Sequence, residues 1–456
     1  MDQTRHQDRL IARATFGERP GDREQIRRVG AEAWLETALA SLPRGDASLE
    51  SRLARFPALA YGPADWLDAA DLPDPATTGA ERRPEALARL RGHSVRIAVQ
   101  VAGARVVRAV HGSQGLREVM VDFWANHFSV DARKGIVGGL LPHYQREVLD
   151  RHALGRFEDL LLAVAKSPAM LFYLDNWSST AAAGGPGGND SEQRGRRPRT
   201  RGINENYARE LMELHTLGID GGYTQDDVIS VARALTGWSL ESRRSPVHRF
   251  HARLHDTGPK RVLGEPLTGE GEVEGENLLR RLARHPVTAR HVSRKLVQRF
   301  VADTPPPALV EKAAARFVET EGDIPSVLRT ILLAPELSDP KHRKLKTPLR
   351  LFASALRVSG GSTDGSEDAL RTLARMGELP FFARTPAGFP ETSERWIDPG
   401  AVLERMKLAF ALARGVVPGA RLGDEGLADA AVRGGGAPDG LLTTAVTLAA
   451  PEFQWC

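Results

Sequence analysis

Cysteine is almost absent: Cys456 is the single thiol among 456 residues. One cysteine cannot close an internal disulfide, and its position excludes cysteine-based zinc sites and a cysteine nucleophile upstream. This fits a reducing compartment, as it would an exported protein without disulfides. Long apolar runs are missing too. No stretch approaches the roughly 18 residues that a membrane span needs, so no membrane span is expected. The opening MDQTRHQDRLIARATFG lacks the apolar stretch of a signal peptide. The expectation is therefore a cytoplasmic protein, with export left open. Charge of one sign is scarce as well, with 62 Lys and Arg against 58 Asp and Glu, a net of +4. Nucleic-acid binders cluster basic residues among aromatics, so no nucleic-acid partner is expected. The pI near 9.3 rests on that small surplus. GxSxG, P-loop, Rossmann, HExxH, CxxC and EF-hand patterns are all missing, which leaves cofactor and metal unassigned.

What is present is ordinary globular material, 41% hydrophobic and 26% charged. Apolar residues recur at helical spacing through most of the chain, so the expected class is all-α. Residues 1–456 read as one large multi-helix domain with long irregular loops and a small β-hairpin. Helices are expected from Ser113 to Phe128, with Leu116, Met120, Phe123 and His127 on one stripe, and over Phe157–Lys166. Others are expected over Pro286–Val301, Ala308–Thr320, Ile324–Leu333, Val402–Arg414 and Leu441–Ala449. Ser167-Pro168 and Thr347-Pro348 each combine a cap with a first-turn proline. The hairpin is expected between Phe250–Leu254 and Lys260–Leu263. Residues 178–202, small, polar and basic, read as a mobile insertion whose run Arg194–Arg201 is a solvated loop. Gly377–Gly400, with Phe381, Phe382, Phe389 and Trp396, reads as an ordered loop over the core. Pro57–Pro84 is a third irregular stretch. Three helices ending in Ser-Pro or Ala-Pro echo one another, and proline as a helix stop accounts for this without a repeat.

The densest segment is Ile203–Trp238, INENYARELMELHTLGIDGGYTQDDVISVARALTGW. Asn204 is a good N-cap for a helix from Glu205 to Leu217, with Gly218 just past its end. Tyr207, Leu211 and Leu214 form its apolar stripe. Glu205, Asn206, Arg209, Glu210 and Glu213 occupy the opposite arc. That arc is either a solvated surface or the wall of a polar groove. Asn204 and Asn206 favour the groove, because asparagine is a poor helix former. Thr224, Asp226 and Asp227 start the next helix, and the short link makes an αα-hairpin.

Several motifs run in order through the chain: LIARATFGERP (Leu10–Pro20), FWANHFSV (Phe123–Val130), LDN (Leu174–Asn176), NENYARELMELHTLGIDGGYTQDDV, ARALTGW and HDTGPKRVLG (His255–Gly264). HPVTARHVSRKLVQRFVAD, KTP (Lys346–Pro348) and GFP (Gly388–Pro390) follow. With this series the chain resembles the bacterial family called domain of unknown function 1800, over most of its length. The resemblance implies a largely helical fold and no established reaction. It also implies a companion protein of sulfatase-like appearance, often encoded nearby with an export signal.

The residues themselves offer the following candidates. His127 sits on an apolar stripe, where it is either a hydrogen-bonded core residue or a general base of lowered pKa. Glu205, Glu210 and Glu213 are the candidate acid/base carboxylates, with at least two of the three expected to be largely buried and paired with Arg209 or groups from the Asp175-Asn176 turn. Asn126, Asp175, Asn176, Asn204, Asn206, Arg209 and Trp238 are candidate substrate contacts. Trp124, Trp177 and Trp396 suit sugar stacking or a helical core equally. Lys346 in KTP is a candidate anion contact, although Thr347-Pro348 explains the motif as a helix start. The leading expectation is a hydrolase-type enzyme acting on a polar, saccharide-like substrate. The alternative is a non-catalytic binding or scaffold protein using the same groove.

Overall fold

Cap chemistry places several of the helices. The computed structural model describes residues 3–40, 46–68, 82–181, 202–242, 244–423 and 440–456. Within them, Pro348–Val358 starts at Thr347, whose hydroxyl accepts from the Arg350 N–H. Ile324–Leu332 starts at Asp323, and Gln225–Ala234 at a Thr224–Asp227 capping box. Each cap satisfies amide groups that a helix start leaves open. Phe157–Ala165, Pro168–Tyr173, Pro286–Phe300, Pro307–Glu319, Pro399–Ala413 and Gly440–Ala449 lie within a few residues of expectation. The Gly115–His127 helix begins after Gln114 instead of at Ser113, without a side-chain cap. The protein is mainly helical, and its buried apolar residues join in one large core with a small satellite around Leu49, Leu53, Phe56, Ala104 and Val107.

The longest helix among the described residues, Arg83–His111, is not among the expected elements. Its C-terminal half is buried nearly all round, from Val101 through Val107. A helix without a solvent side has no polar arc to reveal its period. Gly103 marks its closest crossing, where an added Cβ would lie 2.3 Å from the Gly365 carbonyl oxygen. The N-terminal helices Gln3–Ala14, Asp22–Val29 and Ala31–Leu39 were likewise unanticipated.

Strands are confined to two-stranded antiparallel pairs among the described residues. The expected hairpin is not formed. Phe250 pairs with Trp238 instead, and Val262 pairs with Glu265. Ala252–Leu254 is a tight helical turn, and the Lys260 ammonium folds in to meet Glu274 at 2.8 Å and the Asp256 carbonyl. Those buried contacts use the turn that would have joined the two strands.

The insertion expected at 178–202 lies mostly outside the described residues, including the run Arg194–Arg201. Its two ends meet: the Thr180 N–H donates to the Gly202 carbonyl at 3.2 Å. The 377–400 segment is tied down, with Phe381 and Trp396 buried and the Ala132 N–H donating to the Phe381 carbonyl. Buried arginines staple the LIARATFG motif in place. Arg13 donates to the carbonyls of Phe300, Val301 and His342, while Arg350 donates to those of Arg13 and Thr15. Backbone carbonyls are the groups these buried guanidiniums use to replace lost water.

Candidate functional site

The helix after Asn204 starts as expected and then widens. Asn204 Oδ1 accepts from the Asn206 N–H at 2.9 Å. Regular α-helix covers Glu205–Glu210, and Leu211–Thr216 is π-helical, with the Thr216 hydroxyl donating five residues back to the Leu211 carbonyl. The wider turn changes the register of the polar arc. Arg209 lies 3.6 Å from Glu205 and donates to Gln225 Oε1 at 2.9 Å, and no Arg209–Glu213 ion pair forms among the described residues. Gln225 in turn donates to Glu205 at 2.7 Å, which links the two helices of the hairpin.

Two asparagines fix this helix to a neighbouring turn. The side-chain amides of Asn204 and Asn206 both point to the Leu174 carbonyl, at 3.2 and 3.4 Å. Asp175 follows, held at φ 63 and paired with Lys134 at 2.6 Å. The structure thus brings Asp175, Asn204, Asn206 and Glu210 to one face, with Tyr173 between. Burial, together with the charges of Asp131 and Glu210, pushes the Tyr173 hydroxyl up to about 12.

The three glutamates do not form the closed groove expected of them. Glu205, Glu210 and Glu213 are all partly exposed, and the cavities described below are lined by other residues. The expectation that two of them would be buried is therefore corrected. Tyr207, Ala208, Leu211, Met212, His215 and Thr216 turn into the core, which leaves the carboxylates at the rim. Glu210 has no hydrogen-bond or ion-pair partner among the described residues. Partial burial raises its pKa, and the charge of Glu213 adds to the shift.

The remaining candidates lie inside the protein. His127 is 2% exposed, and its Nε2 is 3.1 Å from the His215 carbonyl. Burial holds its pKa well below the usual value, helped by the charge of Lys295. Its ring packs among Phe123, Trp124, Phe128 and Phe157. Asn176 is fully buried and donates to the carbonyls of Leu235 and Trp238. Trp238 and Trp124 are fully enclosed, Trp396 nearly so, and Trp177 stacks on Phe172. Among the described residues no cluster of three or more His, Cys, Asp or Glu is placed to hold a metal ion.

A second polar centre went unnoticed in the sequence. Glu118, Asp122 and Asn126 recur every four residues on the Gly115–His127 helix, a polar stripe beside the apolar one. Arg299 reaches Asp122 at 2.7 Å and Glu391 at 3.2 Å, and Arg105 reaches Glu118 at 3.3 Å. Burial works against the Arg299 charge, yet Glu391 and Asp122 more than offset it and raise its pKa. Glu378 is different: burial, aided by the charge of Asp122, pushes its carboxyl up to about 7. The cavity between these groups is about 30 Å³, room for a water or two and too small for a substrate. Spacing on the helix was the available signal, but partners almost 180 and 270 residues away were not.

A family model described as "Protein of unknown function (DUF1800)" matches residues 9–454, so the chain belongs to that family. No curated protein and no solved structure matches it. No helix among the described residues is long and apolar enough to cross a membrane.

Proposed function

We propose that this member of the family is a non-catalytic binding protein for a polar, saccharide-like ligand held on the open face around Glu210. The observation that carries this reading is the unpaired, half-buried Glu210 carboxylate, set beside Asp175, Asn206, Glu213 and Tyr173. Carboxylates and amides at a rim offer acceptors and donors to neighbouring hydroxyl groups without burying a charge. A shallow site suits binding better than hydrolysis, which needs carboxylates held across a bond in a water-excluding cleft.

Screening on an oligosaccharide array, followed by calorimetry, tests the reading. The expected result is saturable binding that weakens at least tenfold in Glu210→Ala. Absence of any oligosaccharide ligand, or binding indifferent to Glu210→Ala, would overturn it. The hydrolase reading retains one supporting observation, the raised Glu210 pKa, which is the direction a general acid needs. Release of new reducing ends from a bound oligosaccharide would select it over simple binding.

A further inference from the structure

A larger cavity lies elsewhere, between the N-terminal Gln3–Ala14 helix, the Pro348–Val358 helix and the C-terminal Gly440–Ala449 and Pro451–Gln454 helices. Its volume is about 560 Å³, within the range of small-molecule sites. Ala12, Phe16, Val358, Leu442, Val446 and Phe453 give it a mostly apolar wall. Leu442 and Val446 are 67% and 55% exposed, so the apolar lining continues to the surface.

The inner wall carries cations. Lys346 is 8% exposed, and its ammonium lies 3.7 Å from the centre of the Phe453 ring. Among the described residues it has no hydrogen-bond acceptor and no ion-pair partner. Arg350 is 4% exposed and donates through Nη2 to the Arg13 and Thr15 carbonyls, but its Nε has no partner among the described residues. The anionic groups on this wall are largely spoken for: the charge at Cys456 is shared among Arg13, Arg350, Lys346 and Lys344. Arg23 pairs with both Asp8, at 3.1 Å, and Glu18, at 2.5 Å, and Glu452 is exposed. Burial lowers the Lys346 pKa to about 8, with the charge at Cys456 working the other way, so the amine is still mostly protonated at neutral pH. A buried ammonium without an acceptor is costly, and a polar partner is what such a group requires.

We propose that the cavity binds a single-chain amphipathic carboxylate, its head on Lys346 and its acyl chain along the wall that leads to Leu442 and Val446. The cation is at the enclosed end and the apolar residues are at the exposed end, so the head enters first and the chain follows the wall outward. A volume of about 560 Å³ has room for one such chain and its head, and not for a two-chain lipid. This site shares no residue with the face around Glu210, and its test is independent of that reading.

Dodecanoate, dodecanol and dodecyltrimethylammonium, each below its micelle concentration, are titrated calorimetrically into the full chain at pH 7. The expected result is one saturable dodecanoate site, at least tenfold tighter than dodecanol and tighter still than the ammonium compound. In K346M the carboxylate loses its tenfold advantage while dodecanol binding is unchanged. If K346M fails to fold, the ranking of the three ligands on the unaltered chain and on K346R carries the test. Equal affinity for all three ligands, no saturable site, or dodecanoate binding unchanged in K346M would overturn the proposal. Binding to phosphatidylglycerol vesicles with none to free dodecanoate would overturn it too.

Discussion

Asn126 holds Phe389 at both of its backbone polar groups: Oδ1 accepts from the Phe389 N–H at 2.6 Å and Nδ2 donates to its carbonyl at 2.9 Å. This clamp joins the FWANHFSV and GFP motifs across 263 residues. Gly388 is what lets the strands of chain approach so closely. Its φ is +76, and an added Cβ would sit 2.4 Å from Asn126 Oδ1.

The clamp predicts two losses of stability. Asn126→Ala removes both hydrogen bonds and leaves part-buried backbone groups unmet, at a cost of about 2–3 kcal/mol. Gly388→Ala strains the left-handed backbone and pushes on the same amide, costing at least about 1 kcal/mol. Urea unfolding of the two variants checks this. A change in either below the error of the titration would mean that the loop is held by other contacts.

His215 predicts a pH dependence. Burial lowers its pKa from the usual 6.5 to about 3, with Lys295 and His291 adding charge repulsion. The unfolded chain therefore binds a proton that the folded chain refuses over that range. Stability from this group is complete above pH 6.5 and falls as pH drops below it, by about 1.4 kcal/mol per pH unit. Among the described residues neither ring nitrogen has a partner, so an apolar replacement leaves no new unmet group. His215→Leu should reduce the slope of stability between pH 6 and 4 by that amount. At pH 7.5 it should change stability by less than about 1.5 kcal/mol. An unaltered slope in denaturant titrations at the two pH values would contradict the assignment.

Glu378 acts with the opposite sign. Its carboxyl, 4.5 in the ordinary state, is pushed up to about 7 by burial, while the Leu349 N–H donates to it at 2.7 Å. The folded chain therefore keeps a proton that the unfolded chain has lost. This contribution is full below pH 4.5 and is lost as pH rises through 7. Glu378→Gln keeps an acceptor for Leu349 and carries no charge. It should make the protein about 1–3 kcal/mol more stable at pH 8 than the parent, with little difference at pH 4.5. Thermal unfolding at both pH values measures this, and a loss of stability at pH 8 would refute it.

On the open face, cap and carboxylate should separate. Asn204 caps its helix and donates to the Leu174 carbonyl, so Asn204→Ala should cost about 1–2 kcal/mol. Among the described residues Glu210 makes neither kind of contact. Glu210→Gln should change stability by no more than about 0.5 kcal/mol, whatever it does to ligand binding. A large loss in Glu210→Gln would show that the carboxylate supports the fold.

The sequence by itself determined the helical class, the caps at Asn204, Thr224 and Thr347, and the buried place of His127. Each of these follows from neighbours a few residues apart, because caps and stripes are local devices. Family membership was legible in the same way, as motifs in order. The Arg83–His111 helix was not, since its C-terminal half is buried nearly all round and shows no polar arc. The Trp238–Phe250 pairing was also hidden, because strand partners are chosen by packing and the expected turn was taken up by Lys260. Above all, tertiary structure decided what the charged residues do. Glu205, Glu210 and Glu213 looked like a pocket and lie at a rim, whereas Asp122, Arg299 and Glu391 looked unremarkable and form a largely buried ion-pair network. Burial and long-range pairing set the chemistry of a charge, and both depend on chain segments that meet only when the protein folds.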